Sequence, residues 1–287
     1  MNILKKVLRK ALRKTRDLLA DDSPDGPLDS WAGSYTLNPI FVEVLKQDGC
    51  RHQYAWGMVQ GVNLAKVLGI GRVSVLEFGV AGGNGLVSLE KIAKKAQDIF
   101  GVTVDVFGFD TGIGLPKPKD HRDMPNLWSE GFFPMDPDKL KRRLERAQLI
   151  LGDTRETVPK FILSDISPVA FASFDLDFYT STMHALALFE ADHRFLLPRV
   201  QCYFDDVLAV TFGDHVGERL AISEFNESHQ MRKISPIYGL RYYVPERYSN
   251  WMWEKQYMAH IFDHPLYGTY DGSVNHEKTK MNWGLNN

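Results

Sequence analysis

Residues 73–85 read VSVLEFGVAGGNG, a short apolar run that ends in a glycine-rich turn. An apolar run of this length, closed by glycines, is typical of a buried strand. Residues 84–98 then carry apolar side chains at helical spacing. The stretch therefore predicts a strand, a tight turn and a helix, which together form the first unit of a parallel α/β sheet.

The same alternation continues to residue 204. The predicted strands are Val73–Phe78, Val104–Phe109, Gln148–Leu151, Val169–Phe174 and Val200–Phe204. The predicted helices cover 52–68, 84–98, 137–146, 155–163 and 180–192. Such alternation indicates a parallel sheet with helices on both faces. In sheets of this kind ligands bind beyond the carboxyl ends of the strands, and polar residues follow each predicted strand.

The composition is that of a globular protein, with 44% hydrophobic and 24% charged residues. Seven of the 34 Lys and Arg residues fall within residues 1–16, which leaves 27 against 36 acidic residues in the rest of the chain. This acidic body argues against nucleic-acid binding, which needs a basic face. Two cysteines, Cys50 and Cys202, cannot form a disulfide framework, so we expect a reducing, cytoplasmic location.

Three segments are expected along the chain: a basic amphipathic helix at 1–20, a linker at 21–38 and one domain at 39–287. The linker contains Pro, Gly, Ser and Asp at high density. Two interpretations of the basic helix stay open. It could contact the inner face of an anionic membrane as a peripheral anchor, or it could pack on its own domain or on a second subunit of a homo-oligomer.

The glycine turn predicts a ligand site, although a simple tight turn would also explain it. Glycines let the backbone approach a ligand closely, and a helix N-terminus behind them favours anionic groups. The acid Glu77 would repel a dinucleotide pyrophosphate and suits instead a positive group, such as the ammonium of a methionyl ligand.

Two further acids follow the next strands. Asp110 is placed to accept hydrogen bonds from ribose hydroxyls, as acids at this point do in nucleotide-binding sheets. Asp153 could meet an adenine amino group, and a solvated loop aspartate is an equal alternative.

Two pairs of aspartates follow interior strands: Asp175 with Asp177, and Asp205 with Asp206. Four converging carboxylates would repel one another unless a cation lies between them or some stay protonated. Oxygen ligands indicate Mg²⁺, with Ca²⁺ or Mn²⁺ as alternatives. Helix N-capping without any metal is the competing interpretation.

Taken in order, the motifs EFGVAGGNG, GFDTGIGLPKP, LGDTRETVP, FDLDFYTST and YFDDV resemble the macrocin-type (TylF-like), metal-dependent sugar O-methyltransferases. These belong to the class I S-adenosylmethionine-dependent methyltransferases. The resemblance covers roughly residues 73–228. It implies a Rossmann-like, seven-stranded and mostly parallel sheet whose last strand is antiparallel. The chain departs from the family pattern at Val80-Ala81, where an aromatic or charged residue is usual.

The resemblance also implies residue roles. The residues it places around S-adenosylmethionine are Glu77, Gly79, Val80, Ala81, Gly82, Gly83, Asp110, Thr111, Asp153, Thr154 and Asp175. It implies Asp175, Asp205 and Asp206 as Mg²⁺ ligands, with Asp177 and Asp175 interchangeable. A metal would acidify the acceptor hydroxyl, and Asp175 or Asp177 would act as general base.

The predicted acceptor is a hydroxyl of a sugar or another vicinal diol, because two adjacent hydroxyls can chelate such a metal. Residues 117–136, with Trp128, Phe132 and Phe133, form a lid-like insertion. The aromatic-rich region 238–287 suits sugar binding, sheet packing or dimerisation; Leu240–Val244 and Gln256–Phe262 are strand candidates within it. His184 is expected to be a packed or exposed residue. The alternative functions are a metal-dependent glycosyltransferase using D-x-D and a non-catalytic cofactor-binding adaptor.

Overall fold

The structure, a computed structural model, describes residues 50–208, 213–243 and 251–269. The predicted basic helix at 1–20, the linker at 21–38 and parts of the C-terminal aromatic region lie outside these residues. No helix in the described part of the chain is long and apolar enough to cross a membrane.

The described chain folds around one seven-stranded sheet in the order β3-β2-β1-β4-β5-β7-β6. The strands are β1 Arg72–Phe78, β2 Thr103–Asp110, β3 Gln148–Leu151, β4 Val169–Phe174, β5 Leu196–Phe204, β6 Arg232–Pro236 and β7 Gln256–Ile261. Strands β1 to β5 pair in parallel, and β7 runs antiparallel to both of its neighbours. This arrangement confirms the predicted Rossmann-like fold class, with its mostly parallel sheet and antiparallel last strand.

Helices connect the strands in the predicted alternation. They are α1 His52–Val67, α2 Asn84–Phe100, α3 Pro137–Lys141, α4 Thr154–Ile162, α5 Tyr179–Leu186 and α6 Gly217–Ser228. Two are shorter than predicted: α3 ends at Lys141, and α5 passes into a 3-10 turn at Ala187–Glu190. The predicted strand Leu240–Val244 is wrong, because Leu240–Tyr243 forms a 3-10 helix.

A row of four phenylalanines lies where the central strands end. Phe78, at the end of β1, stacks on Phe109 of β2 and on Phe174 of β4, with ring centroids 4.7 and 5.1 Å apart. Phe174 stacks in turn on Phe204 of β5 at 4.5 Å. All four side chains are buried. Stacked aromatics of this kind make a rigid apolar layer, so the loops that follow these strands begin from a fixed base.

The sheet order reverses direction at β1, since β2 lies on one side of it and β4 on the other. The connections from β1 and β4 therefore diverge at the carboxyl edge of the sheet and leave a crevice there. Ligands of open α/β sheets bind at such a switch point.

Candidate active site

A cleft of about 420 Å³ lies at this carboxyl edge, a size typical of small-molecule sites. Its lining includes nearly all of the predicted site residues: Gly79, Val80, Ala81, Gly82, Gly83, Asp110, Thr111, Asp153, Thr154, Asp175, Asp177, Asp205 and Asp206. His184 lines the cleft as well. The loops after β1, β2, β3, β4 and β5 thus contribute to one site, as the parallel-sheet pattern predicted.

The glycine turn forms the first wall of the cleft. Gly79 has a φ of +84°, and a Cβ added to it would lie 1.8 Å from the backbone oxygen of Asp175. Only glycine fits this position, because it must adopt a left-handed conformation while the loop after β4 passes against it. The absence of a side chain at Gly79 therefore lets the turn after β1 contact the backbone of Asp175.

Asp110 holds the turn in place. One of its carboxylate oxygens accepts the amide hydrogens of Val80 and Ala81, both at 2.9 Å, and the other accepts that of Gly112 at 2.7 Å. A carboxylate has about four acceptor positions, so three amides leave room for one further donor such as a ribose hydroxyl. Asp110 therefore helps to order the turn before any ligand binds, a role that the sequence did not indicate.

Glu77 lies beneath the turn, with only 1% of its surface exposed. Its Oε1 accepts the hydroxyl hydrogen of Tyr54 at 3.1 Å, and a Cβ at Gly85 would lie 1.7 Å from the same oxygen. Among the described residues its Oε2 has no hydrogen-bond partner. Burial raises the pKa of Glu77 to about 8. Glu77, which the sequence predicts to bind an ammonium group, is thus a buried acid with one oxygen that accepts no hydrogen bond from the described residues.

Asp153 and His184 lie together at the far end of the cleft. Asp153 caps helix α4 by accepting the amide hydrogen of Arg155 at 2.8 Å. His184 Nδ1 lies 3.7 Å from the Asp153 carboxylate, and burial lowers the pKa of the imidazole. Thr154 donates its hydroxyl hydrogen to the carbonyl of Ser181. The predicted adenine contact of Asp153 stays a prediction alongside its capping role.

The two aspartate pairs form the opposite wall. Asp177 is 7% exposed and adopts a positive φ of +59°, which is rare for a residue other than glycine. Its amide donates to Oδ2 of Asp206 at 3.0 Å. Strained backbone of this kind at a cleft is a marker of a functional residue.

Burial and mutual repulsion raise the pKa values of these acids. Desolvation, followed by the neighbouring carboxylates of Asp175 and Asp205, raises the pKa of Asp177 to about 7. Desolvation and Asp205 raise the pKa of Asp175 to about 6, while Arg51 opposes that rise. The same causes raise the pKa of Asp206 well above its ordinary range. Perturbed acids that cluster in a cleft are candidates for proton transfer.

Glu218 and Lys255 support this wall from behind, and neither was predicted. The buried Glu218 accepts the amide hydrogen of Asp206 at 2.9 Å and that of Leu176 at 3.5 Å, so it bridges the loops after β4 and β5. Lys255 is 2% exposed, donates to the backbone oxygen of Asp205 and lies 3.2 Å from its carboxylate. No local sequence pattern marks either residue, because both contacts join distant parts of the chain.

The predicted metal site is not preformed. In the part of the chain that the structure describes, no three His, Cys, Asp or Glu side chains are grouped so as to hold a metal ion. One oxygen of Asp205, Oδ1, already receives the ammonium of Lys255 and the hydroxyl hydrogen of Tyr203, the latter at 2.7 Å. The carboxylate oxygens suit Mg²⁺ chemically. The ammonium of Lys255, however, already lies beside Asp205, one of the three predicted ligands.

The predicted lid segment lies against the cleft and is fastened to helix α5. Asp123 is fully buried and accepts hydrogen bonds from the amide and hydroxyl of Thr180, at 2.8 and 3.0 Å. Trp128 and Phe133 line the cleft with their rings 5.8 Å apart. Within the described residues the indole N–H of Trp128 is buried without an acceptor. An unsatisfied donor therefore belongs to one of the residues that line the cleft.

No protein-family model matches the chain, and no curated protein matches it either. Among solved structures, the calicheamicin methyltransferase CalS11 is 21% identical, with a TM-score of 0.49 over 80% of this chain and 88% of that one. The apo form of CalS11, a TDP-rhamnose 3′-O-methyltransferase, is 22% identical, with a TM-score of 0.42 over 80% and 90%. An O-methyltransferase from Bacillus cereus is 14% identical, with a TM-score of 0.35 over 86% and 94%. The resemblance to the macrocin-type family stays a prediction.

Proposed function

We propose that this protein is an S-adenosylmethionine-dependent O-methyltransferase that acts on a hydroxyl of a sugar or another vicinal-diol acceptor. One observation carries the proposal. A single cleft joins a glycine turn held by Asp110 to a wall of buried acids that includes Asp177. The first wall suits the nucleoside and amino-acid parts of the cofactor, and the second suits removal of a proton from an acceptor.

The residues fit the cofactor at each of its polar ends. Asp110 has one acceptor position left for a ribose hydroxyl. Asp175 and the unpaired oxygen of Glu77 are acceptors for an ammonium group, whose positive charge would lower the raised pKa values of both acids and favour their ionised forms. When bound, S-adenosylmethionine supplies a methyl group on a positively charged sulfur, which is already an activated leaving group.

The chain has to orient the acceptor and remove its proton. Transfer of the methyl group to the acceptor oxygen would release S-adenosylhomocysteine and the hydroxyl proton, and the Asp177 carboxylate would accept that proton. A general base works best when its pKa is near the working pH, and burial raises the pKa of Asp177 to about 7. Asp175 is the weaker candidate, since Arg51 lies 3.7 Å from its carboxylate and favours the ionised form without a bound substrate.

The acceptor would lie between the acids and the lid segment. Aromatic faces suit the C–H surface of a sugar, and the unpaired indole N–H of Trp128 suits one of its hydroxyls. We therefore propose that Trp128 and Phe133 contact the acceptor ring while Asp177 faces the reacting hydroxyl.

Binding of Mg²⁺ at the aspartates is a separate proposal, because proton transfer to Asp177 does not require a metal. Crowded carboxylates favour a bound cation, yet Lys255 already supplies one positive charge at Asp205. Calorimetric titration of the cofactor-loaded protein with Mg²⁺, together with activity in EDTA, distinguishes a metal-dependent enzyme from one in which Lys255 supplies the positive charge. Full activity in EDTA would remove the metal from the proposal.

The first test is calorimetric titration of the purified protein with S-adenosylhomocysteine. Micromolar binding supports the cofactor site, and transfer of a labelled methyl group to a panel of sugars and catechols then identifies the acceptor class. Absence of binding, with heat released by a UDP-sugar instead, would contradict the proposal and favour the glycosyltransferase alternative. Cofactor binding without transfer to any diol would favour the non-catalytic adaptor.

A further inference from the structure

The cleft has a cation at the edge of its acidic wall that the scheme above does not use. Arg51 immediately precedes helix α1 and lines the cleft, with 35% of its side chain exposed. Its backbone amide donates to the hydroxyl of Ser88 on α2 at 2.6 Å. The position of Arg51 is therefore fixed relative to the helix that follows the glycine turn.

The side chain of Arg51 is held in place as well, through its guanidinium group. Nη1 donates to the hydroxyl of Tyr54 at 2.7 Å, and the guanidinium carbon lies 5.0 Å from the Tyr54 ring centre. Tyr54 is fully buried and donates in turn to Glu77 at 3.1 Å. A chain of hydrogen bonds thus runs from the cleft surface to the acid beneath the glycine turn.

Positive and negative groups alternate along this part of the wall. Arg51 Nη1 lies 3.7 Å from Oδ2 of Asp175, which is an ion-pair distance and too long for a good hydrogen bond. A guanidinium has five N–H donors, and the hydrogen bond to Tyr54 uses one of them. A cation with spare donors beside an acid complements a zwitterion, in which a carboxylate and an ammonium are attached to one carbon.

Other cations of the cleft are placed differently. Lys117 and Lys119 line it from the lid segment, where both are exposed and where the Lys119 amide is tied to Asp123. Asp123 in turn binds Thr180 at the start of α5, away from the glycine turn. Among the described Lys and Arg residues that line the cleft, Arg51 is the one that pairs with Asp175 and is tied to Glu77 through Tyr54.

We infer that Arg51 binds the α-carboxylate of the cofactor's amino-acid end, while the neighbouring acids receive its ammonium. The inference rests on the proposed function and assigns one part of the cofactor to one side chain. Arg51 favours a carboxylate because its planar N–H groups match the two oxygens. Tyr54 acts as a positioning residue that holds the guanidinium in place.

Two ligands that differ only in the carboxylate test this inference. They are S-adenosylhomocysteine and S-adenosyl-3-thiopropylamine, which keeps the ammonium and lacks the carboxylate. Calorimetry would measure both with the wild-type protein, Arg51→Gln and Arg51→Lys. Arg72→Gln is the matched control, because Arg72 pairs with Asp105 at the opposite end of β1.

We expect the wild-type protein and the Arg72→Gln control to bind S-adenosylhomocysteine about 10-fold to 100-fold more tightly than the amine, the scale of a charge-assisted hydrogen bond. In Arg51→Gln the two ligands should bind equally, because only the carboxylate loses its partner. Arg51→Lys should restore part of the difference. If Arg51→Gln does not fold, Tyr54→Phe keeps the arginine but removes its anchor and should reduce the discrimination.

Results that contradict the inference differ from results that contradict the proposed function. Unchanged discrimination in Arg51→Gln, or in Tyr54→Phe where that variant replaces it, would overturn the inference. Equal weakening or tightening of both ligands would show that Arg51 acts only through Asp175 or through folding, and would overturn it as well. Failure of the wild-type protein to bind either ligand would instead refute the proposed function, and the inference with it.

Discussion

The two walls of the cleft differ in how their polar groups are satisfied. On the β1–β2 side the turn amides of Val80, Ala81 and Gly112 all end on one carboxylate, that of Asp110. On the β4–β5 side, carboxylates face one another, and burial raises the pKa values of Asp175 and Asp177 to about 6 and 7. The turn amides of the first wall have their acceptor in the folded chain, and Glu77 beneath them is the exception, with one unpartnered oxygen. The second wall is made of acids that repel one another.

This difference indicates a division of labour. A turn whose amides are already held by a carboxylate can bind a cofactor without rearranging its backbone. A wall of crowded acids disfavours ionisation and so holds groups that exchange protons near neutral pH. Changes at Asp110 in the first wall should therefore affect cofactor binding, and changes at Asp177 in the second should affect turnover. Asp175 lies between the two and should affect both.

Asp177→Asn should give the largest effect. Loss of the general base is expected to lower turnover about 10²-fold to 10⁴-fold, while the affinity for S-adenosylhomocysteine stays unchanged. Steady-state rates with the identified acceptor and calorimetry on the same preparation would measure both. Asp98→Asn, an exposed change on α2, is the control. Equal losses in turnover and affinity would break the proposed division between the walls.

Asp110→Asn tests the opposite wall. Asparagine offers one acceptor oxygen and turns an N–H₂ group toward amides that are themselves donors, so the turn loses at least one charge-assisted hydrogen bond. We expect the affinity for S-adenosylhomocysteine to fall about 10-fold to 100-fold, as measured by calorimetry. Asp105→Asn, on the same strand but paired with Arg72, should bind like the wild-type protein. A normal affinity in Asp110→Asn would show that the turn orders itself.

Lys255→Met probes the compensation of the acidic wall. Its ammonium is buried against Asp205, which remains 35% exposed, so removal should lower the free energy of unfolding by about 1–3 kcal/mol in urea titrations. The double variant Lys255→Met/Asp205→Asn should recover part of that loss, because the unpaired charge is gone. Strictly additive losses would show that the lysine stabilises the fold without the Asp205 carboxylate, through its hydrogen bond to the Asp205 backbone oxygen and its ammonium 4.3 Å from the centre of the Trp251 ring.

The strands that carry the site could be predicted from the sequence because their signals are local. Gln148–Leu151 and Val169–Phe174 have the predicted bounds, since each is a short apolar run closed by Gly or Asp. In the late antiparallel pair only the strand candidate Gln256–Phe262 carried such a signal, and β7 at Gln256–Ile261 confirms it. Strand β6 was missed. In Arg232–Pro236 only Ile234 is buried, so no apolar alternation marks the strand.

The site was predictable to the extent that topology fixes it. Polar residues that follow parallel strands meet at one edge, which is why the predicted aspartates share a cleft. Arg51, Glu218 and Lys255 reach the same edge from a helix start, a late helix and the segment before β7. Their roles depend on contacts between distant residues, for which a single sequence offers no pattern.

Glu77 is the buried acid beneath the glycine turn, and its substitution should give the smallest effect. Because burial raises its pKa to about 8 in the folded protein, from an ordinary value of 4.5, the folded state binds the extra proton between these pH values. Its contribution therefore favours the folded state below about pH 4.5 and declines as the pH rises toward 8. Glu77→Gln keeps an acceptor for Tyr54 and cannot ionise. Its melting temperature should fall less than that of the wild-type protein between pH 5 and 8, in ligand-free samples. Parallel pH profiles would show that Glu77 stays ionised in the fold, and that the wall beneath the glycine turn is as charged as the wall of aspartates opposite it.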